Sequence, residues 1–92
     1  MNFNDLNIFI NIYETGSLNQ SAVNLGYAQS NLTARLKNLE SEMCTRLFIR
    51  KYNGIVPTRS GDKLYYFAKE TLQNFEIMQK ELISQGKSIL IS

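Results

Sequence analysis

The sequence predicts a mainly α-helical fold: three short helices, a two-stranded β-hairpin and one long final helix. Three observations carry that reading. Apolar residues recur at steps of three and four in four separate stretches, which is the period of a helix with one buried face. Asn53-Gly54 stands between two short runs suited to strands, the strongest local signal for a hairpin. The stripe that follows Gly61 runs on for about six helical turns. Ninety-two residues suffice for one such domain.

The first helix is expected over residues 4–14, where Leu6, Phe9 and Tyr13 fall at helical spacing with Ile8 and Ile12 beside them. Asp5 or Asn4 caps its start, Thr15-Gly16 ends it, and Tyr13 is expected in the core. A second helix follows Ser17, which has capping-box spacing to Gln20. Leu18, Ala22 and Leu25 form its inner face, and the small Ala22 permits close approach of a neighbour. Gly26-Tyr27-Ala28 is a tight connection to a third helix over residues 29–42. Leu32, Leu36, Leu39 and Met43 lie within about 60° of one another on that helix. Its other side carries Ser30, Thr33, Ala34, Lys37 and Ser41.

Residues 46–50 and 55–59 read as strands around Lys51-Tyr52-Asn53-Gly54, since Asn and Gly both tolerate positive φ. Pro57 has no N–H, so its strand lies at an edge or ends there. The last helix is expected over residues 61–83, with Leu64, Ala68, Leu72, Phe75, Met78 and Leu82 in one stripe. Such a helix is about 33 Å long. A core this small cannot cover it, so the stripe calls for a partner, most simply the same helix of a second copy. Tyr65, Tyr66 and Phe67 are expected to pack this helix on the domain body. Gln85-Gly86-Lys87 is expected to break it, and residues 88–92 read as a strand. The resulting organisation is a body over residues 1–60, a helix over 61–84, and a tail or the start of a further domain over 85–92.

The net charge is only +2, but it is unevenly spread. Arg35, Lys37, Arg46, Arg50, Lys51, Arg59 and Lys63 face only Glu40, Glu42 and Asp62 in residues 28–63, whereas acids outnumber bases elsewhere. A basic middle in a near-neutral chain is the footprint of a phosphate-binding surface. The single cysteine, Cys44, rules out an internal disulfide and is expected to be a small buried residue. With no histidine, common zinc patterns are excluded, and no cofactor is expected. There is no signal peptide and no apolar run approaching the ~20 residues of a membrane span. A cytoplasmic location follows.

Helix, tight turn, helix and basic hairpin together make a winged helix-turn-helix, and the long helix then dimerises it. One helix of that arrangement fits the major groove of double-stranded DNA while the preceding helix braces it. Gln29, Ser30, Thr33 and Lys37 suit base edges without repelling phosphate. Arg35, next to Ala34 but about 100° further round, is assigned to phosphate. Arg50, Lys51 and Asn53 at the hairpin tip reach phosphates or the minor groove. Glu40 or Glu42 is a competing partner for Arg50. No nucleophile stands with a base, and no glycine loop could cradle phosphate, so an enzyme is excluded. The rival reading is a winged helix that binds protein, or a short form that sequesters a longer regulator by pairing its last helix.

The ordered set Leu6, Phe9, Gly16-Ser17-Leu18, Ala22, Leu25, Gln29-Ser30, Leu32-Thr33, Leu39-Glu40, Leu47-Phe48-Ile49-Arg50, Gly54, Thr58 and Gly61 resembles the N-terminal domain of LysR-type transcriptional regulators. The resemblance covers nearly the whole chain. It implies that Gln29, Ser30 and Thr33 face bases, that Arg50 belongs to the wing, and that the last helix joins two copies on an interrupted palindrome near a promoter. It also implies a following effector-binding domain, of which residues 89–91 would be the first strand, so this chain by itself would answer no small-molecule effector. The sequence departs from the family pattern at Ala34, usually arginine, at Met43-Cys44, usually Leu-Gly, at Asn53, often arginine, and at Pro57 and Ser60.

Overall fold

A computed structural model describes residues 1–91, with side chains described through Gly86. The chain runs α1 (Phe3–Thr15), α2 (Leu18–Leu25), α3 (Gln29–Met43), β1 (Phe48–Lys51), β2 (Gly54–Pro57) and α4 (Arg59–Ile91). This is the mainly helical, winged arrangement that the periodicity predicts.

Each boundary has a local cause. α1 begins at Asn2, whose side chain accepts the Asp5 amide at 2.8 Å while the Asp5 carboxylate accepts the Asn2 amide at 3.2 Å. The cap therefore sits earlier than expected, and Asp5 is its reciprocal partner. Ser17 caps α2 by accepting the Gln20 amide at 3.0 Å. Gln20 does not reach back. Its amide donates to Asn24 at 2.9 Å, and the Ser17 N–H goes to the Thr15 hydroxyl at 3.2 Å. α3 closes on Cys44 at φ 56°, the one non-glycine residue with positive φ among those described. That position is on the surface, so Cys44 is exposed rather than buried as expected. Met43, at the edge of the leucine stripe, is likewise outside the core.

The core gathers α1, α2, α3 and the hairpin around Phe9, Ile12, Leu32 and Leu47, and Phe9 meets Phe48 at 5.3 Å between ring centres. Tyr13 is half-buried beside this core instead of inside it. Its ring stacks on Tyr65 of α4 at 3.8 Å and its hydroxyl donates to Asp62 at 2.7 Å. Its ring thus packs on α4 while its hydroxyl stays at the α1–α4 boundary, where Asp62 accepts from it.

The hairpin pairs Phe48 with Pro57 and Lys51 with Gly54, leaving Tyr52-Asn53 as the turn. β2 ends at Pro57. Gly54 adopts φ 138° but Asn53 is not at positive φ, so the pair does not form the turn centre predicted for it. Gly54 is needed for another reason: a Cβ there would stand 2.7 Å from the Gly16 carbonyl oxygen. Ile55 N–H donates to that same oxygen at 3.2 Å. The wing is thus pinned by its backbone to the turn between α1 and α2.

Thr58 launches α4. Its hydroxyl accepts the Gly61 amide at 3.0 Å and donates to the Arg46 carbonyl at 2.6 Å. α4 then runs without interruption to Ile91, so Gln85-Gly86-Lys87 does not break it and residues 88–91 are helical rather than a strand. Ser92, the last residue assigned to that strand, lies outside the described residues. One interior glycine costs a helix only about 1 kcal/mol. A strand with no neighbour to pair with leaves its backbone unsatisfied, whereas a helix bonds its own. The helix gives the molecule its elongated shape, 59 × 26 × 20 Å.

Candidate nucleic-acid interface

α3 turns Leu32, Leu36 and Leu39 into the core. Gln29, Thr33, Lys37 and Ser30 fall on an arc about 100° wide that flanks the leucine stripe, its centre about 100° round the helix from the stripe's. Gln29, Ser30 and Lys37 are exposed and Thr33 is half-buried, so the polypeptide does not cover this face. Ala28 gives α3 no side-chain cap, whereas Asn2 and Ser17 cap α1 and α2. The first amides of α3 are consequently free of a side-chain acceptor at the same end as Gln29 and Ser30.

The hairpin stands beside this face. Thr33 and Lys37 from α3 and Arg46, Arg50 and Ile55 from the hairpin segment line one groove. Arg50, Lys51 and Asn53 are exposed. Among the described residues, Lys37, Arg50 and Lys51 enter no salt bridge. Neither acid weighed as a partner for Arg50 takes it. Glu42 binds the N-terminal ammonium at 2.7 Å. Glu40 accepts the amides of Leu47 at 2.7 Å and Phe48 at 3.3 Å, and lies 3.6 Å from Arg46. Sequence reading missed this use of Glu40. An acid at the far end of a helix, just before a strand whose first amides lack partners, was the available signal.

Arg35 is placed elsewhere. It lies on the opposite flank of α3, 3.5 Å from the Asp5 carboxylate, with its guanidinium over the Tyr27 ring at 5.5 Å. Asn4 donates to the Tyr27 hydroxyl at 3.2 Å. Arg35 therefore ties α3 to the start of α1 and to the turn before α3.

Along α4 the apolar stripe divides in two. Leu64 packs against the core and Ala68 is 0% exposed within its own chain, so neither is free for a partner as expected. The small Ala68 lets α4 lie close on the body. Leu72 is half-buried, and Phe75 is half-buried with its ring 4.6 Å from that of Phe3. Beyond it, Met78 is 41% and Leu82 57% exposed. Tyr65 meets the body as expected, donating to Glu14 at 2.6 Å, whereas Tyr66 and Phe67 are largely exposed.

The architecture is that of a winged helix-turn-helix with an open polar face on its third helix. Comparison with known proteins narrows the class. The profile described as "Bacterial regulatory helix-turn-helix protein, lysR family" matches residues 3–62, and the chain belongs to that family. Its relatives are named as transcriptional regulators, not enzymes. The HTH-type transcriptional regulator CzcR of Bacillus cereus is 38% identical over 80 residues, which are 87% of this chain and 28% of that protein. YofA of Bacillus subtilis is also 38% identical over 80 residues, again 87% of this chain and 28% of its own length. The chain thus spans less than a third of the relatives it matches. Among solved structures, the BenM DNA-binding domain in its complex with the catB site 1 DNA has a TM-score of 0.86 at 27% identity, covering 91% of this chain and 93% of that one. The corresponding CbnR domain bound to DNA shares the fold at a TM-score of 0.88, with 24% identity and coverage of 94% and 99%. No helix among the described residues is long and apolar enough to cross a membrane.

Proposed function

We propose that this chain is the DNA-reading part of a bacterial transcriptional regulator, binding double-stranded operator DNA sequence-specifically as a homodimer. The observation that carries the reading is the uncovered face of α3, where Gln29, Ser30, Thr33 and Lys37 lie beside a hairpin whose Arg50 and Lys51 enter no ion pair among the described residues. A helix with such a face fits the major groove, and Gln29 suits a two-pronged bond to adenine. Lys37, Arg50, Lys51 and Asn53 suit phosphate and the groove beside it, as do the uncapped first amides of α3. The family and the DNA-bound relatives support the same assignment.

The dimer rests on α4. From Glu76 to Gln85 every side chain is exposed, so α4 stands clear of the body. Met78 and Leu82 continue the stripe that Phe75 leads out of the body, and the same helix of a second copy is the occupant that matches it. Two such domains would place their α3 helices in successive major grooves about 34–36 Å apart, on an interrupted palindrome. The setting is the bacterial cytoplasm, at the nucleoid. Selection of bound sequences from random DNA tests both halves of the proposal. Two inverted half-sites one helical turn or a multiple apart are expected; no enrichment would defeat the sequence-specific reading, and a single half-site would defeat the dimer.

A further inference from the structure

We propose that Arg46, at the foot of β1, is a phosphate-binding residue that completes a cationic track formed with Lys37 and Arg50 along the wing-side flank of α3. The proposal rests on the DNA-binding reading above and adds a site to it.

Arg46 is held in place yet open to solvent. Its side chain is 75% exposed, although its Nε lies 3.6 Å from Glu40 and an Nη donates to the Phe48 carbonyl at 3.5 Å. An exposed arginine normally gives up rotamer freedom when it binds, which weakens its contribution. Here the Glu40 carboxylate and the Phe48 carbonyl bias the fork towards one orientation in advance. The Glu40 charge that would repel a phosphate is turned inward: the carboxylate is 14% exposed and accepts the Leu47 and Phe48 amides.

The neighbours fit an anion. Lys37, Ser41, Thr45 and Arg46 line one open groove and Lys37, Arg46 and Arg50 share the adjoining one, with the single acid Glu40 in the wall of both. A helix lying in the major groove has a sugar-phosphate ridge on each side. All three of these cations stand on the side nearest the hairpin, whereas Arg35, on the other side, is held by Asp5. The planar guanidinium matches phosphate geometry better than the ammonium of a lysine does.

The test compares the whole chain with Arg46→Ala, Arg46→Gln and Arg46→Lys, using a short labelled duplex of arbitrary sequence over a series of salt concentrations. Thermal melting accompanies each variant; Arg46→Gln keeps a donor for the Phe48 carbonyl if the alanine variant is unstable. The wild type is expected to lose affinity linearly in log salt. In the alanine and glutamine variants the slope should be shallower by about 0.9 for each protomer bound, one phosphate contact apiece. Arg46→Lys should restore it, and preference for a selected operator should be unchanged. If the wild type shows its slope and the folded neutral variants match it, Arg46 is not a phosphate contact. A loss confined to the operator would also overturn the proposal, because it would make Arg46 a base reader. A wild type that binds no duplex would instead remove the DNA-binding reading itself.

Discussion

Gln29 and Arg35 are both polar residues on α3, and their surroundings divide them. Gln29 is exposed on the open face, while Arg35 is engaged by Asp5 and Tyr27. Gln29→Ala is therefore expected to cost about 1–3 kcal/mol at the selected operator and to relax base preference there. Arg35→Ala should leave the salt slope unchanged while lowering thermal stability by about 1 kcal/mol or less, the scale of a partly exposed pair; parallel titrations and melts separate the two. Residue types and helical spacing made it legible that Gln29, Ser30, Thr33 and Lys37 share one open polar face of α3. They could not make Arg35 legible, because its partners are distant in sequence and only the tertiary fold brings Asp5 and Tyr27 to it. Gly61 shows the same limit from the backbone side. A Cβ there would lie 2.2 Å from the Leu47 carbonyl oxygen, a contact no sequence pattern announces. Gly61→Ala should destabilise the domain by about 1–3 kcal/mol, the range for overpacking, readable as a lower denaturant midpoint with unchanged slope.

Among the elements, α4 is the one whose attachment decides the function proposed. It is fixed to α1 by the Tyr13–Tyr65 stack, by Tyr13 donating to Asp62, and by Tyr65 donating to Glu14. The hydrogen bond to Asp62, followed by burial, pushes the Tyr13 hydroxyl from its ordinary 10.0 up to about 12, and Glu14 raises Tyr65 in the same direction. The protonated phenol is the form that the fold stabilises. The contribution is therefore complete below about pH 10 and disappears as pH rises through about 12. Tyr13→Phe should lower stability at neutral pH by about 1 kcal/mol, and its difference from wild type should shrink across that alkaline window. Denaturant melts at a series of pH values check this. The presence of α4 and its apolar stripe were readable from Gly61 to Leu82. Its end was not: Gly86 looks like a terminator locally, but the flanking Gln85 and Lys87 favour helix, and α4 runs through it to Ile91.

The whole molecule is a small body with a long lever. Sixteen residues of α4, 76–91, extend about 24 Å past the last aromatic contact with the body. Ala68 and Leu64 were assigned to a partner on periodicity alone, yet the stripe first serves the chain's own core and only then emerges. Periodicity reports that a face is apolar; it does not report who covers it. The appropriate probe of the dimer is therefore Leu82, which is 57% exposed, in preference to Phe75, which rests on Phe3. Leu82→Glu should halve the mass seen by light scattering, leave the thermal stability of the body nearly unchanged, and weaken operator binding through lost avidity. An unchanged mass would place the dimer contact elsewhere or remove it.

In the proposed complex one uncovered face of α3 enters the major groove with the hairpin beside it. The most direct measurement is the change in backbone amide NMR signals as operator duplex is added to the isotopically labelled chain. The largest changes are expected at Gln29, Ser30, Thr33 and Lys37 and across Arg50, Lys51 and Asn53, with the flank around Arg35 and Asp5 little affected. Changes concentrated on that flank or on α4, with the face of α3 silent, would mean that the duplex is held by another surface.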